Sequence, residues 1–284
     1  DIYFARANIL HKEKKYDDSS KFLQLANNLK FDLNAFDYEN FLKKSRTLLL
    51  EMDKKISKKI ELKNSSENIF IVGMPRCGST LLESIISMNN NVYALGEINI
   101  LEESYLEYKE SKKKKKIYEL YVEKVNKKTQ LNITTNKWLY NYRYAGIISD
   151  EIPNSKIIHC YRNPLDNILS IYRAHFTKGN QYSSSLVNCA KVYLDQEKIM
   201  SIYKNKFQSK IYNLNYDLLV SNPDKEIKSL ISWLGWKWQD LYLSPHQNTR
   251  AIATRSSVEV RSPINSKSIG GWKNYRKMLK PALE

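Results

Sequence analysis

An uninterrupted apolar run, Ile69-Phe70-Ile71-Val72, closes on Gly73 and passes through Met74-Pro75-Arg76-Cys77-Gly78 into Ser79-Thr80 and an apolar helical pattern over 79–88. The run is too short for a buried helix, and its β-branched and aromatic character favours a strand covered on both faces. A two-faced strand that feeds a helix through a tight turn leaves few architectures. The simplest is a parallel sheet with helices packed on each side.

The chain beyond keeps that alternation. Strand patterns fall at 92–95, 133–136, 156–161 and 210–215, and helical periodicities at about 99–128, 164–176, 184–204 and 223–234. The expected class is therefore α/β, a P-loop-like parallel sheet flanked by helices. In such sheets ligands bind outside the carboxyl ends of the strands, so the residues directly after each strand are the first to read for chemistry.

Ahead of this domain lies a stretch without strand patterns. Phe4, Ala7 and Leu10 share one helical face, and Phe22, Leu25, Ala26 and Leu29 share the next. A break at 14–19 separates the two, and a third helix fits 38–59. The expected division is a helical segment at 1–62 and an α/β domain at 66–284, with a linker around Lys63-Asn64-Ser65-Ser66-Glu67. The hairpin at 3–29 resembles one tetratricopeptide-type repeat, with Ser20 where alanine is usual. One such hairpin cannot bury its own face, so further repeats are expected before Asp1, and the missing Met and helical opening read the same way. The plainer alternative is an ordinary hairpin packed on the main domain.

The formal charge of +16 invites an anionic ligand, nucleic acid or an anionic membrane. The lysines are spread along the chain, however, and the run 112–116 sits in a Glu/Lys-rich helical stretch that reads as a solvated face. No recognition helix, finger or RNP motif accompanies them, so no specific nucleic-acid partner is expected. No apolar run approaches the ~18 residues of a membrane span, and the first residues carry no secretory signal. Three cysteines, Cys77, Cys160 and Cys189, are too few for a disulfide framework and favour a reducing, cytoplasmic setting. His11, His159, His175 and His246 are scattered without metal-ligand spacing, so no metal is expected.

The chemistry concentrates in two strand–turn–helix segments. Gly73, four residues, Gly78 and then Ser79-Thr80 match the outline of the phosphate loop G-x-x-x-x-G-K-[ST], in which backbone N–H groups and a helix N-terminus face a phosphate. Ser79 stands where a nucleoside triphosphatase places its lysine, which leaves the loop poorly equipped for ATP or GTP chemistry. Positive charge comes instead from Arg76, able to grip a terminal phosphate or sulfate with two N–H groups. The second segment is 156–170. Asn163 suits a helix cap and Pro164 the first turn, while Arg162 at the strand end and Ser170 two turns on could converge on one further anion. Two phosphate-sized sites fit a bisphosphorylated nucleotide. Taken alone, the second segment reads equally as Arg162 paired with Asp166 and a surface serine.

Together these segments resemble the sulfotransferase superfamily over nearly the whole chain. The likeness is greatest to the branch of tyrosylprotein sulfotransferases and bacterial sulfotransferases with tetratricopeptide repeats. Pro75-Arg76-Cys77-Gly78-Ser79-Thr80 is similar to that branch's P-R-S-G-T-T loop for the 5′-phosphosulfate, with Cys77 and Ser79 as mild departures. The resemblance gives Arg162 and Ser170 the 3′-phosphate, Glu97 of Gly96-Glu97 the part of catalytic base, and Lys137 after Asn136 a contact with the reacting group. Tyr216 opens an element lying by the nucleotide, Ser257 binds the transferring group, and Lys273 belongs to a closing loop, Ser268–Lys273. Glu259 stands where relatives commonly have Gln.

The resemblance implies a donor, 3′-phosphoadenosine 5′-phosphosulfate, which leaves as adenosine 3′,5′-bisphosphate without a metal. The acceptor it implies is a hydroxyl on a tyrosyl peptide, a carbohydrate or a small phenol. The rival expectations are a nucleotide kinase or triphosphatase, against which the missing loop lysine and strand-end Asp count, and an inactive repeat scaffold. Charge alone supports a third, a basic nucleic-acid binder.

Overall fold

The computed structural model describes residues 1–33, 36–53, 66–111, 115–176, 179–249 and 259–284. Residues 54–65, where the linker was expected to begin, the end of the third expected helix, and Lys112–Lys114 of the lysine run lie outside them. The chain divides into two compact units, neither continuous in sequence. One gathers 1–45, 162–198 and 266–284, and the other 46–161 and 199–265.

The larger unit is built on five strands, β1 (Glu67–Gly73), β2 (Val92–Ala94), β3 (Ile133–Asn136), β4 (Ser155–Tyr161) and β5 (Ile211–Asn215). All pair in parallel, in the order β2-β3-β1-β4-β5. The reason β1 lacks a polar alternation is visible in its two faces. Phe70 and Val72 pack with Tyr121, Tyr142, Tyr144, Ile157 and Tyr203 on one side, while Ile69 and Ile71 pack with Leu82, Ile85, Ile158, Leu214 and Leu230 on the other. Each such side chain contributes about 1.5–3 kcal/mol by leaving water, and a centre strand collects that on both faces.

Besides α3 (Tyr38–Asp53) and α9 (Leu186–Lys206), the helices include, in this unit, α4 (Ser79–Ile86), α5 (Ile100–Glu110), α6 (Ile117–Asn126), α7 (Ala145–Glu151), α10 (Tyr216–Ser221) and α11 (Pro223–Leu234). The expected strands and helices are present with small shifts at their ends. Missed in the sequence were α7, α10 and the 3-10 segment Leu139–Tyr144, each too short to show a period.

In the smaller unit α1 (Ile2–Lys12) and α2 (Tyr16–Leu33) form the expected hairpin, joined by α8 (Pro164–Tyr172) and the C-terminal 3-10 turns. Phe4, Ala7 and Leu10 are buried as their spacing predicts. The face of α2 differs from expectation: Ser19, Leu23, Ala26 and Asn27 are buried, while Leu25 and Leu29 are exposed. Polar groups occupy that inward stripe because they are bonded there. The Ser19 hydroxyl donates to the Ala7 carbonyl at 2.8 Å and Asn27 Nδ2 to the Tyr172 carbonyl at 3.0 Å. Among the described residues no helix is long and apolar enough to cross a membrane.

Candidate active site

Every strand hands the chain on to a candidate site residue. β1 ends at Gly73, β2 two residues before Gly96-Glu97, β3 immediately before Lys137, β4 immediately before Arg162 and β5 immediately before Tyr216. Candidate residues thus follow the carboxyl ends of five separate strands, the end at which parallel sheets bind ligands.

The loop after β1 is shaped by backbone that only glycine tolerates. Gly73 has φ of 149°, and a Cβ there would lie 2.2 Å from the Cys160 carbonyl oxygen on the neighbouring strand. Gly78 has φ of 98°, and its Cβ would lie 2.1 Å from Cδ2 of Tyr216, so the tyrosine ring lies directly on the loop. Arg76 itself takes φ of 67°, a conformation that costs a residue with a Cβ roughly 1 kcal/mol or more. Ser79 and Thr80 are buried in the first turn of α4, whose cap, Gly78, has no side chain to offer the helix N–H groups. A positive helix end whose cap residue offers no acceptor suits an anion.

Cys77 is buried within this loop, and the Cys160 thiol donates to its carbonyl at 3.1 Å. Burial pushes the Cys77 thiol up, but hydrogen bonding from Cys160 and Ser79 and the positive charge of Lys137 bring it below its ordinary value.

Lys137 is completely buried, and its Nζ donates to Oε1 of Glu97 at 2.6 Å, while the Glu97 side chain remains 43% exposed. The pairing is a product of β2 and β3 running on together. Leu95 N–H donates to the Thr135 carbonyl at 2.8 Å and Lys137 N–H to the Gly96 carbonyl at 2.9 Å, which holds the two side chains at one sheet end. A buried ammonium without its carboxylate is strongly destabilising, so the partner also secures the lysine.

Arg162, Ser170 and Lys273 belong to the smaller unit. Arg162 is buried, with Nη2 donating to the Ser268 carbonyl at 2.7 Å, and its own carbonyl accepts from the Tyr193 hydroxyl at 3.2 Å. Asp166 accepts from the N–H groups of Gly270 and Trp272 at 2.7 and 2.9 Å. Arg162 and Asp166 thus both grip the segment 268–272, a link the sequence reading missed because it spans about a hundred residues. Ser170 is half-buried on α8, and Lys273 is exposed in the 3-10 turn Gly271–Tyr275. Ser257 lies outside the described residues. Among the described residues no group of three or more His, Cys, Asp or Glu side chains is placed to hold a metal ion.

Residues 105–240 match the family described as the sulfotransferase family. The fold of the sulfotransferase domain from the Synechococcus PCC 7002 olefin synthase superposes with a TM-score of 0.59 at 16% identity, covering 81% of this chain and 99% of that one. The likeness to sulfotransferases covers just under half of the chain in sequence and most of it in fold. The sulfotransferase domain from the curacin biosynthetic pathway gives a TM-score of 0.54 at 16% identity, over 78% of this chain and 98% of that domain. An uncharacterized protein of Aquifex aeolicus (strain VF5) is 28% identical over 99% of this chain, which spans 40% of that relative's length. The sulfotransferase family match takes in Lys137, Arg162, Ser170 and Tyr216 but begins after the Gly73–Thr80 loop and Glu97.

Proposed function

We propose that this chain transfers a sulfuryl group from 3′-phosphoadenosine 5′-phosphosulfate to an acceptor hydroxyl. The observation that carries this reading is the pairing of buried Lys137 with half-exposed Glu97 at 2.6 Å, at the end of the same sheet as a phosphate loop that has no lysine. A kinase needs loop lysine and metal-binding carboxylate for a triphosphate. Here the cations are Arg76 and Lys137, and the donor set is arginine, lysine, hydroxyl and amide, which suits a phosphosulfate without a metal.

The cradle at Gly73 and Gly78, closed to any Cβ, fits the close approach of a phosphate to backbone. Arg76, Ser79, Thr80 and the N–H groups at the start of α4 would hold the 5′-phosphosulfate, with Cys77 and Gly78 shaping the turn and Tyr216 against it. Arg162 and Ser170 take the 3′-phosphate and Lys273 the closing loop, the roles that the family likeness gives them. When bound, the donor supplies an activated sulfuryl group and leaves as adenosine 3′,5′-bisphosphate.

The chain's own part is proton and charge handling. A carboxylate oxygen of Glu97 accepts the proton of the acceptor hydroxyl as that oxygen attacks in line. Lys137 Nζ and Arg76 then offset the negative charge that develops on the leaving side, with Ser257 adding a hydroxyl donor by likeness. The half-exposed flank of Glu97 is open to acceptors as different as a tyrosyl peptide, a carbohydrate or a small phenol.

Calorimetric titration with adenosine 3′,5′-bisphosphate tests the donor, with ATP and 5′-AMP as comparison ligands and Arg162→Ala as control. Tight bisphosphate binding that Arg162→Ala abolishes is the expected result. A folded sample that prefers ATP, or binds none of the three, refutes it.

A further inference from the structure

α4 is apolar almost throughout, Ser-Thr-Leu-Leu-Glu-Ser-Ile-Ile, and its single charged residue is Glu83. That side chain is only 2% exposed, inside the face that packs Leu82, Ile85 and Ile86 against the sheet. Burying a carboxylate is costly, and it persists where hydrogen bonds repay the lost water. Two of those bonds identify what it holds. Glu83 Oε1 accepts from the Thr135 hydroxyl at 2.9 Å and from the Gly96 N–H at 3.2 Å.

Both donors sit beside the reacting pair. Gly96 immediately precedes Glu97, and Thr135 lies on β3 two residues before Lys137. Gly96 has φ of 72°, a turn whose carbonyl accepts from Lys137 N–H at 2.9 Å. One carboxylate oxygen thus ties the turn that aims Glu97 to the strand that delivers Lys137. The same side chain stands one turn into the helix that starts at the phosphate loop, so the loop, the acid–base carboxylate and the buried ammonium share an anchor. Backbone pairing alone would leave the Gly96 turn hinged at a glycine, and a shift of about 1 Å in such a pair can cost on the order of 100-fold in rate.

We propose that Glu83 is a positioning residue that fixes the Glu97–Lys137 pair against the phosphate loop through Thr135 and Gly96. It touches neither donor nor acceptor and acts through the pair. The proposal rests on the sulfotransferase reading for its kinetic consequences but not for its structural one, and the experiment separates the two.

Glu83→Gln keeps a carbonyl oxygen in place for both donors, whereas Glu83→Ala removes it. We expect Glu83→Ala to lower kcat roughly 100-fold, with the donor KM and bisphosphate affinity held within about threefold, and Glu83→Gln to restore kcat to within about fivefold of the parent. In parallel, reductive methylation followed by peptide mass analysis reads the reactivity of Lys137, which needs no turnover. Loosening of the pair should speed its modification by roughly tenfold or more in Glu83→Ala and leave it near the parent rate in Glu83→Gln. Unchanged Lys137 reactivity in Glu83→Ala overturns the proposal, as does a kcat within threefold of the parent. An equal loss of bisphosphate affinity and kcat in a folded variant also overturns it, placing Glu83 in the support of the loop alone. Should Glu83→Ala fail to fold, Thr135→Val decides by the same two readouts, because it removes one tie without leaving a buried cavity. If the parent itself transfers no sulfuryl group, the proposed activity falls while Lys137 reactivity still judges Glu83.

Discussion

The two strand–turn–helix crossings, β1 into α4 and β4 into α8, share a topology and differ in what they leave at the helix start. α4 is capped by Gly78 and has no acidic residue in its first turn. α8 is capped by Asn163, whose side chain accepts from the N–H groups of Leu165 and Asp166, with Pro164 contributing no N–H and Asp166 a negative charge. Asp166 is further engaged with Gly270 and Trp272. The first crossing therefore starts its helix without a cap side chain, a setting that suits an anion, while the second caps its own helix start through Asn163. One cap residue separates a cradle from a scaffold, which a matching of strand and helix patterns does not reveal.

The largest effect should fall beside the first crossing, on chemistry rather than binding. Glu97→Gln is expected to lower turnover by roughly 100-fold or more while bisphosphate affinity is kept; steady-state rates with calorimetry check it, and a near-parental rate removes Glu97 as the base. Next comes the cradle itself. Gly78→Ala places a Cβ into the Tyr216 ring at a backbone angle alien to alanine, and strain of about 1–3 kcal/mol should weaken bisphosphate binding by roughly tenfold or more.

Asn163→Ala should do something different at the matching position of the second crossing. Loss of its cap is expected to cost about 1 kcal/mol of stability in thermal melts, with bisphosphate affinity close to the parent's. A loss of affinity as severe as that of Gly78→Ala would erase the distinction between the two turns.

The smallest expected effect lies in the helical hairpin. His11 receives the Arg173 guanidinium on Nε2 at 3.1 Å and contacts the Tyr275 hydroxyl through Nδ1 at 2.8 Å. Burial, and then the Arg173 charge, lower its pKa from 6.5 to about 4. Between those values the unfolded chain binds a proton that the folded chain does not, so this contribution is full above about pH 6.5 and is lost as pH falls toward 4. Melting temperatures between pH 7 and 5 should decline less steeply in His11→Gln than in the parent, and equal slopes would remove His11 as a source.

Much of the candidate site was legible because it is local. A glycine-bounded turn after an apolar strand announces a backbone conformation and a helix end, and Ser79 in the lysine position speaks against triphosphate chemistry. Glu83 left one signal that went unread, a lone carboxylate in an apolar helix. The inward face of α2 was misread because Ser19 and Asn27 are buried by virtue of partners remote in the chain, while Leu25 and Leu29 point outward.

The sequence by itself determined the order of strands and helices, the two crossings and the residues that follow each strand, since period, φ preference and capping act over a few neighbouring residues. Only the tertiary structure decided that Lys137 meets Glu97 across 40 residues, that Glu83 reaches both Thr135 and Gly96, and that Asp166 grips Gly270 across 104. Those bonds depend on sheet order and the direction in which each strand end points. Spacing along the chain carries no record of either.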